Sequence, residues 1–377
     1  MDAQDLYDLS PAVQVMLTGL VIACVPLLWV WWRHQKTSTA RRLQALTVLT
    51  LFLTFDLVLF GAFTRLTNSG LGCPDWPGCY GNASPLGAIA EITQAQTAMP
   101  TGPVTHGKAW VEMVHRYLAT SVGVLILTLT VASWWARRKD ASINPWWPTF
   151  TLVWVCVQGA FGALTVTMKL FPAIVTLHLM GGLLLLVLLC VQAVGVTRLH
   201  TMSRARVGLG VACVLLTAQI VLGGWVSTNY AVLACNTFPL CQGSWWPVMD
   251  FDQAFEIWRP LGRLQDGSYL SFAALTAIHY AHRLLAYLVL TVLAVVAWRL
   301  YRAPATRRQS LWLAGLTLLQ FATGLSNVVL GWPLLAAVAH TGGAAALVVV
   351  LTWTVCSQRR TPVVGLAISP TRSRLSA

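Results

Sequence analysis

Charged residues are scarce in this chain. Asp, Glu, Lys and Arg together make up only 10% of its 377 residues, whereas hydrophobic residues make up 56%. An ordinary soluble domain carries about 25% charged residues. A soluble fold of this length cannot bury so much apolar surface. The composition therefore excludes a soluble globular protein and indicates a polytopic membrane protein.

Long uncharged runs contain most of the hydrophobic residues. A membrane-spanning helix needs about 20 consecutive apolar residues, and nine runs reach that length. They cover approximately residues 12–32, 44–64, 115–135, 148–168, 174–196, 207–228, 277–298, 311–331 and 334–356. We therefore predict an all-α membrane protein with nine spans.

The segment ahead of the first run lacks basic residues. It carries Asp2, Asp5 and Asp8, whereas a cleavable signal peptide begins with a positively charged region and has a shorter apolar core. We expect residues 1–42 to form an extra N-terminal anchor followed by a cytoplasmic linker.

Basic residues outnumber acidic residues by 25 to 12, and their placement is informative. Eighteen of the 25 lie in alternate connections between the predicted spans or in the tail. They are Arg33, Lys36, Arg41, Arg42, Arg137, Arg138, Lys139, Arg198, Arg204, Arg206, Arg299, Arg302, Arg307, Arg308, Arg359, Arg360, Arg372 and Arg374. Positive loops stay in the cytoplasm, which predicts that the N-terminus lies outside and the C-terminus inside. Because the net charge of +13 follows the topology, it argues against nucleic acid as a partner.

The chain repeats one pattern of residues. Most counterparts are separated by 162 positions, and two His-Arg pairs are separated by 167. The matched residues are Cys73 and Cys235, Cys79 and Cys241, His178 and His340, Gly61 and Gly223, Gly162 and Gly324, Pro77 and Pro239, Gln158 and Gln320, and His115-Arg116 and His282-Arg283. Such a match through mostly apolar sequence predicts two copies of one structural unit.

The repeat divides the chain into two units. We assign residues 43–206 to the first, 207–360 to the second and 361–377 to a basic cytoplasmic tail. Each unit contains four spans, and because four is even the second unit enters the membrane in the same direction as the first. We therefore predict parallel repeats that form two four-helix bundles, with cofactors held between facing helices.

Four histidines occupy repeat-related positions near the outer ends of the spans. His115 and His178 belong to the first unit, and His282 and His340 belong to the second. Imidazoles on both faces of an iron porphyrin are a common way to hold haem in a helical bundle, so we predict one haem in each bundle. The alternative for any single histidine is a hydrogen-bonded polar residue at a helix end.

Neighbouring residues extend the haem hypothesis. The glycine pairs 181–182 and 342–343 follow two of the histidines and are expected to make room for a flat macrocycle. Arg116 and Arg283, next to the other two, are expected at the water boundary beside the haem propionates.

Glu112 marks an asymmetry between the two units. It precedes His115 by three residues, whereas His279 precedes His282 by three. Residues at i and i+3 are neighbours on a helix, so a carboxylate is expected in the first pocket only, where it could transfer protons or stabilise positive charge. The alternative is an i,i+4 salt bridge between Glu112 and Arg116.

Two cysteine pairs lie in the predicted outer loops, each pair six residues apart. An oxidising compartment favours disulfides between Cys73 and Cys79 and between Cys235 and Cys241. A redox role in passing electrons is the alternative. Zinc would need further ligands nearby, and none is evident.

At this point the chain resembles the haem A synthases. The matching stretches are residues 64–79, Glu112-Met-Val-His-Arg116, Leu177-His-Leu-Met-Gly181, His282-Arg283 and Ala339-His340. They extend across residues 44–356. The first span lies outside the eight-span core of that family.

The resemblance implies a function and assigns roles to the matched residues. The family oxidises the C8 methyl of haem O to a formyl group by successive hydroxylations, giving haem A for cytochrome oxidase. His115 and His178 would bind the substrate haem O, His282 and His340 would bind a haem b cofactor, and Glu112 would be the catalytic acid. Haem O synthase, an electron acceptor such as quinone and a second copy of the chain are the partners that this implies.

Two other functions fit parts of the sequence. A di-haem b-type cytochrome in quinol electron transfer explains the four histidines, but it leaves Glu112 and the cysteine loops without a reason. A transporter with parallel repeats predicts polar, broken helices at mid-membrane, whereas the polar residues here cluster at the outer ends. Asp56 and His106 lack counterparts and receive no role.

Overall fold

The computed structural model describes residues 9–195 and 204–357. The Asp2, Asp5 and Asp8 leader, Arg198 and the basic tail lie outside them. Eleven α-helices form within the described residues, and β-structure there is limited to isolated bridges. The helices are α1 (Ser10–Arg33), α2 (Thr39–Leu66), α3 (Ile89–Ala98), α4 (His106–Arg137), α5 (Trp146–Thr167), α6 (Pro172–Val194), α7 (Arg204–Thr228), α8 (Phe251–Ala254), α9 (Phe272–Tyr301), α10 (Arg307–Val329) and α11 (Leu334–Ser357).

Nine of these helices are long and apolar enough to cross a membrane, and they confirm the nine predicted spans within the described residues. Only α3 and α8 are too short. Large apolar side chains such as Val25, Phe52 and Leu318 are exposed on the long helices. Such a surface is stable only in lipid. The chain is therefore a multi-pass membrane protein.

Two of the spans begin earlier than the apolar runs predicted. Helix α4 begins at His106 rather than near residue 115, and α9 begins at Phe272 rather than near 277. Side-chain caps set both starts. Thr105 Oγ1 accepts a hydrogen bond from Lys108 N–H at 3.3 Å, and Ser271 Oγ accepts one from Ala274 N–H at 3.2 Å. The first turn of α4 contains His106 and Lys108 and therefore falls outside an apolar run, whereas the first turn of α9 is itself apolar and its start is marked by the Ser271 cap.

The eight spans after α1 form two rings of four. In the first ring α2 packs on α4, α4 on α5, α5 on α6 and α6 back on α2. In the second ring α7, α9, α10 and α11 follow the same order. Helices α4 and α6 therefore occupy opposite corners of the first bundle, and α9 and α11 occupy opposite corners of the second.

Helices α6 and α11 pack against each other between the two bundles. At the end of this seam next to the cysteine loops, Arg65 donates a hydrogen bond to the Ser227 carbonyl, and the Tyr230 hydroxyl donates one to Asn68 Oδ1 at 2.9 Å. Arg65 and Ser227 are counterparts 162 residues apart, and so are Asn68 and Tyr230. Equivalent residues meet only close to a rotation axis, so this seam lies at the pseudo-two-fold axis of the repeat.

Helix α1 lies outside the first ring. It packs mainly along α4, where Gly19 allows close approach: a Cβ atom there would come within 2.6 Å of Thr120 Cγ2. Near the start of α1, Val15 is buried in one cluster with Cys73, Cys79 and Met113. The extra span therefore covers one side of the first bundle and its cysteine loop.

Candidate haem sites

Each of the four repeat-related histidines packs against a glycine of a neighbouring helix. A Cβ atom at Gly61 of α2 would lie 3.1 Å from Cε1 of His115 on α4. The same relationship in the second bundle joins Gly223 of α7 to His282 of α9, at 3.0 Å. A side chain at either position would crowd the imidazole. The absence of a Cβ atom at Gly61 and Gly223 therefore makes space for the histidine rings.

The other two histidines have the same arrangement on the remaining helices. A Cβ atom at Gly162 of α5 would lie 3.6 Å from Cε1 of His178 on α6. Its counterpart at Gly324 of α10 would lie 3.2 Å from Cε1 of His340 on α11. In each bundle, two opposite helices therefore carry histidines, and the other two helices carry the glycines that support them.

The histidines of each bundle point to a haem rather than to a bare metal ion. His115 and His178 lie close enough to influence each other electrostatically, and so do His282 and His340. No group of three or more His, Cys, Asp or Glu residues within the described chain could hold a metal ion. A porphyrin brings four nitrogen ligands of its own and needs only two axial ligands from the protein. Two imidazoles per bundle fit that requirement.

The glycines that follow His178 and His340 do not face an open space. Gln158 of α5 lies against Gly181, and Gln320 of α10 lies against Gly343. Gln320 Nε2 also donates to the His340 carbonyl at 2.9 Å. The expectation that these glycines face the macrocycle is therefore wrong for Gly181 and Gly343, because their helix flanks are covered by glutamines.

Glu112 is buried, with 4% of its surface exposed. Its Oε2 accepts a hydrogen bond from Cys73 N–H at 2.8 Å, and its Oε1 forms an ion pair with Arg116. The i,i+4 salt bridge is thus present. His279 has the same place in the second bundle, where its Nδ1 accepts from Cys235 N–H at 3.2 Å. Both side chains anchor a cysteine loop to the helix that carries a histidine.

The two arginines have equivalent contacts with the cysteine loops. Arg116 Nη1 donates to the carbonyls of Asp75 at 2.9 Å, Pro77 at 3.2 Å and Gly78. Arg283 donates to the carbonyls of Cys235 at 3.2 Å, Thr237 at 2.9 Å and Leu240 at 3.2 Å. Both guanidinium groups are directed at loop carbonyls, where the sequence had suggested propionates.

Both predicted disulfides are present. Cys73 is bonded to Cys79 and Cys235 to Cys241. All four cysteines have 0% exposure, so an external thiol cannot reach the sulfur atoms in the folded protein. Burial therefore favours a structural role for the loops over thiol exchange.

The second bundle also carries a buried cation, in the loop between α7 and α9, that the sequence analysis missed. Arg259 has 0% exposure, donates a hydrogen bond to Asn229 Oδ1 at 2.6 Å and lies over the Trp225 ring. Burial lowers the pKa of Arg259, and the nearby Glu256 carboxylate partly offsets this shift. These contacts hold the loop before α9 against the end of α7.

The residues left without a role lie away from the histidine pairs. Asp56 is exposed on α2. His106 begins α4, where its backbone N–H donates to Gln96 Oε1 at 3.0 Å and its Nε2 lies 2.9 Å from Thr93 Oγ1. His106 therefore ties α3 to α4.

The histidines differ in the partners of their second ring nitrogen. His340 Nδ1 lies 3.0 Å from Thr323 Oγ1, and His282 Nδ1 lies 3.1 Å from the side-chain amide of Gln219. His115 Nδ1 and His178 Nδ1 are buried and lack a hydrogen-bond partner among the described residues. No motif in the sequence identified Thr323 or Gln219. The sequence does show that Thr323 and Gln219 lie 162 residues after Phe161 and Leu57. At both positions, a polar residue of the second unit corresponds to an apolar residue of the first.

Sequence comparison with known proteins identifies the family of this chain. The profile of the cytochrome oxidase assembly protein family COX15-CtaA matches residues 44–352. A haem A synthase of Shewanella oneidensis is 39% identical over 309 residues, covering 80% of this chain and 92% of the relative. Haem A synthases of Allorhizobium ampelinum and Halalkalibacterium halodurans are 28% and 27% identical, covering 82% and 80% of this chain and 88% and 90% of their own lengths. The chain belongs to the haem A synthase family.

Proposed function

We propose that this chain converts haem O to haem A, with the first bundle holding the substrate and the second holding a haem b cofactor. The observation that carries this assignment is the paired arrangement of imidazoles on opposite helices, each supported by a glycine, once in each bundle. The family and its relatives support the haem A synthase reaction itself. The chain is thus a haem-dependent membrane oxidoreductase.

In the proposed substrate site, His115 and His178 of residues 43–206 bind the iron of haem O. In the proposed cofactor site, His282 and His340 of residues 207–360 bind haem b, which supplies a one-electron couple when bound. All four histidines lie in the N-terminal part of their helices, on α4 and α6 in the first bundle and on α9 and α11 in the second. The two sites therefore have similar depth on either side of the pseudo-two-fold seam.

The reaction requires proton and electron transfer. Oxidation of a methyl to a formyl group with water as the oxygen source releases four protons and four electrons. We assign proton handling to Glu112, which is the one acidic side chain buried among the described residues and lies one helical turn from His115. Its Oε1 is ion-paired with Arg116, and Cys73 N–H holds its second oxygen in place.

We assign both sites to the outer face. Alternate connections that carry the basic residues support an N-terminus outside and a C-terminus in the cytoplasm of a bacterial inner membrane. The disulfide loops then lie on the oxidising side, where disulfides persist. Haem O synthase as the supplier of the apolar substrate, a quinone as the electron acceptor and self-association belong to the same proposal.

Pigment analysis tests the function. The chain would be expressed in cells that make haem O but lack their own haem A synthase, and the extracted haems would be separated. The proposal expects haem A in cells with the wild-type chain and only haem O in cells with His178→Ala. A di-haem electron-transfer cytochrome would bind haem without producing haem A.

A further inference from the structure

The two bundles differ at the atoms behind their histidines. In the second bundle, Thr323 and Gln219 place polar groups against Nδ1 of His340 and His282. At the equivalent positions of the first bundle stand Phe161 and Leu57, neither of which has a side-chain polar atom. The difference affects both histidines of each pair, so it distinguishes whole sites rather than single residues.

A second hydrogen bond of the Thr323 hydroxyl determines which atom carries the proton in its contact with His340. Its hydroxyl has one proton, which it donates to the Leu319 carbonyl at 2.7 Å. The same oxygen must then accept from His340, whose Nδ1 therefore carries a proton. An imidazole protonated at Nδ1 has a free lone pair at Nε2, which is the form needed to bind iron.

Gln219 restrains the other histidine of this pair. Its side-chain Nε2 lies 3.1 Å from His282 Nδ1, 3.3 Å from His282 Nε2 and 3.2 Å from the His282 carbonyl oxygen. Its Oε1 is buried without a hydrogen-bond partner in the described structure. The amide therefore contacts both the ring and the backbone carbonyl of His282, which restricts rotation of the imidazole.

The histidines of the first bundle lack this support. Phe161 and Leu57 cannot accept a hydrogen bond from His178 or His115, and a buried polar nitrogen without a partner is unfavourable. Ligand imidazoles without such a partner are less firmly oriented and are weaker electron donors to the metal. A site of this kind suits a haem that enters as substrate and leaves as product.

We propose that Thr323 and Gln219 are positioning residues that retain the haem of the second bundle, and that Phe161 and Leu57 keep the haem of the first bundle exchangeable. This inference rests on the proposed function, because it assumes that both histidine pairs bind haem. It goes further by assigning retention and exchange to four residues that do not bind the iron.

Haem transfer from the purified full-length protein tests the inference. The haem b–loaded protein would be mixed with excess haem-free globin, and the rate of haem loss and the reduction midpoint potential would be measured. Thr323→Val removes the hydroxyl while keeping the shape of the side chain. Loss of such a partner lowers metal affinity by roughly 10- to 100-fold, so haem loss should accelerate by about that factor, with a shifted potential.

Thr317→Val is the matched control. Thr317 lies on the same helix, and its hydroxyl donates to the Leu313 carbonyl at 2.7 Å, but within the described residues it forms no hydrogen bond with a histidine. We expect wild-type haem loss in Thr317→Val and in Thr323→Ser, which keeps a hydroxyl. Gln219→Leu, which reproduces the first bundle, should behave like Thr323→Val. If Thr323→Val releases haem no faster than Thr317→Val, the inference is wrong.

The reciprocal change tests the first bundle. Phe161→Thr would supply a hydroxyl to His178, and we expect haem O to leave this variant more slowly than the wild type. Unchanged haem O release would contradict the exchange half of the inference. Wild-type protein without any haem b would refute the proposed function instead, so the two failures are distinguishable.

Discussion

Glu112 joins the helix that carries His115 to the first disulfide loop, because its Oε2 accepts a hydrogen bond of 2.8 Å from the backbone N–H of Cys73. In the second bundle, His279 accepts the equivalent bond from Cys235. The anchoring contact is therefore common to both bundles, whereas the carboxylate is found in the first alone. Substitutions at Glu112 can therefore test the carboxylate separately from the anchoring contact.

Glu112→His should abolish haem A production while leaving the fold intact. The substitution installs the imidazole that the second bundle uses for its loop, so the anchor to Cys73 can persist without the carboxylate. A positioned acid–base group typically contributes 10²- to 10⁴-fold to rate, and we expect haem A output to fall by at least about 100-fold. The measurement is haem A per unit of purified protein, with retained haem b as the folding control.

Glu112→Gln provides the companion variant. Its amide oxygen can still accept from Cys73 N–H, but it cannot carry the charge that pairs with Arg116. Normal haem A output from both variants would show that the carboxylate has no catalytic role.

Replacing His282 or His340 with Ala should remove most of the haem b from the purified protein. Each change deletes one proposed axial ligand in a site where the protein supplies only two. Haem content and the optical spectrum measure the loss. His106→Ala is the control, because His106 ties α3 to α4 and lies outside the histidine pairs. Full haem b content in His282→Ala would overturn the cofactor assignment.

Gly223→Ala should impair haem b binding through a single methyl group. The new Cβ would lie 3.0 Å from His282 Cε1, so the imidazole must shift. Gly315→Ala is the matched control on α10, because no atom lies within 4 Å of its added Cβ. The control should leave haem binding unchanged and stabilise the helix by up to about 1 kcal/mol. Equal haem b contents in the two variants would show that close packing of His282 against Gly223 is unimportant.

Removing the first disulfide with Cys73→Ser and Cys79→Ser should lower thermal stability. It should not by itself abolish haem A production, because the disulfide has a structural role. Closing so short a loop contributes about 2 kcal/mol in the chain-entropy description. The contacts of Arg116 and Glu112 with the loop carbonyls and N–H should limit the local rearrangement. The melting temperature and haem A output would be measured together, and abolished conversion with unchanged stability would point to a redox role instead.

The sequence predicted the spans well because membrane helices require long apolar runs. It singled out the four histidines because they recur at equivalent positions in the two repeats. It did not predict where α4 and α9 begin, because α4 starts with a polar turn after its Thr105 cap and because the Ser271 cap sets the start of α9 ahead of the predicted run. The targets of Arg116 could not be predicted either, because they are backbone carbonyls of a loop whose path is set by the fold.

The packing role of the glycines could not be predicted from the sequence either. Gly61 and Gly223 were visible as repeat counterparts, yet only the packing of α2 on α4 and of α7 on α9 shows that they support His115 and His282. Thr323 and Gln219 could be recognised only after the order of helices around each bundle was known. Sequence periodicity identifies apolar faces, but it does not tell which helix each face meets.

The most direct test of the central claim is the haem spectrum and haem content of the purified protein, compared with those of His115→Ala and His340→Ala. The account predicts a six-coordinate b-type haem that survives in His115→Ala and is lost in His340→Ala. A wild-type protein without b-type haem, or one whose haem b depends on His115 rather than His340, would contradict it.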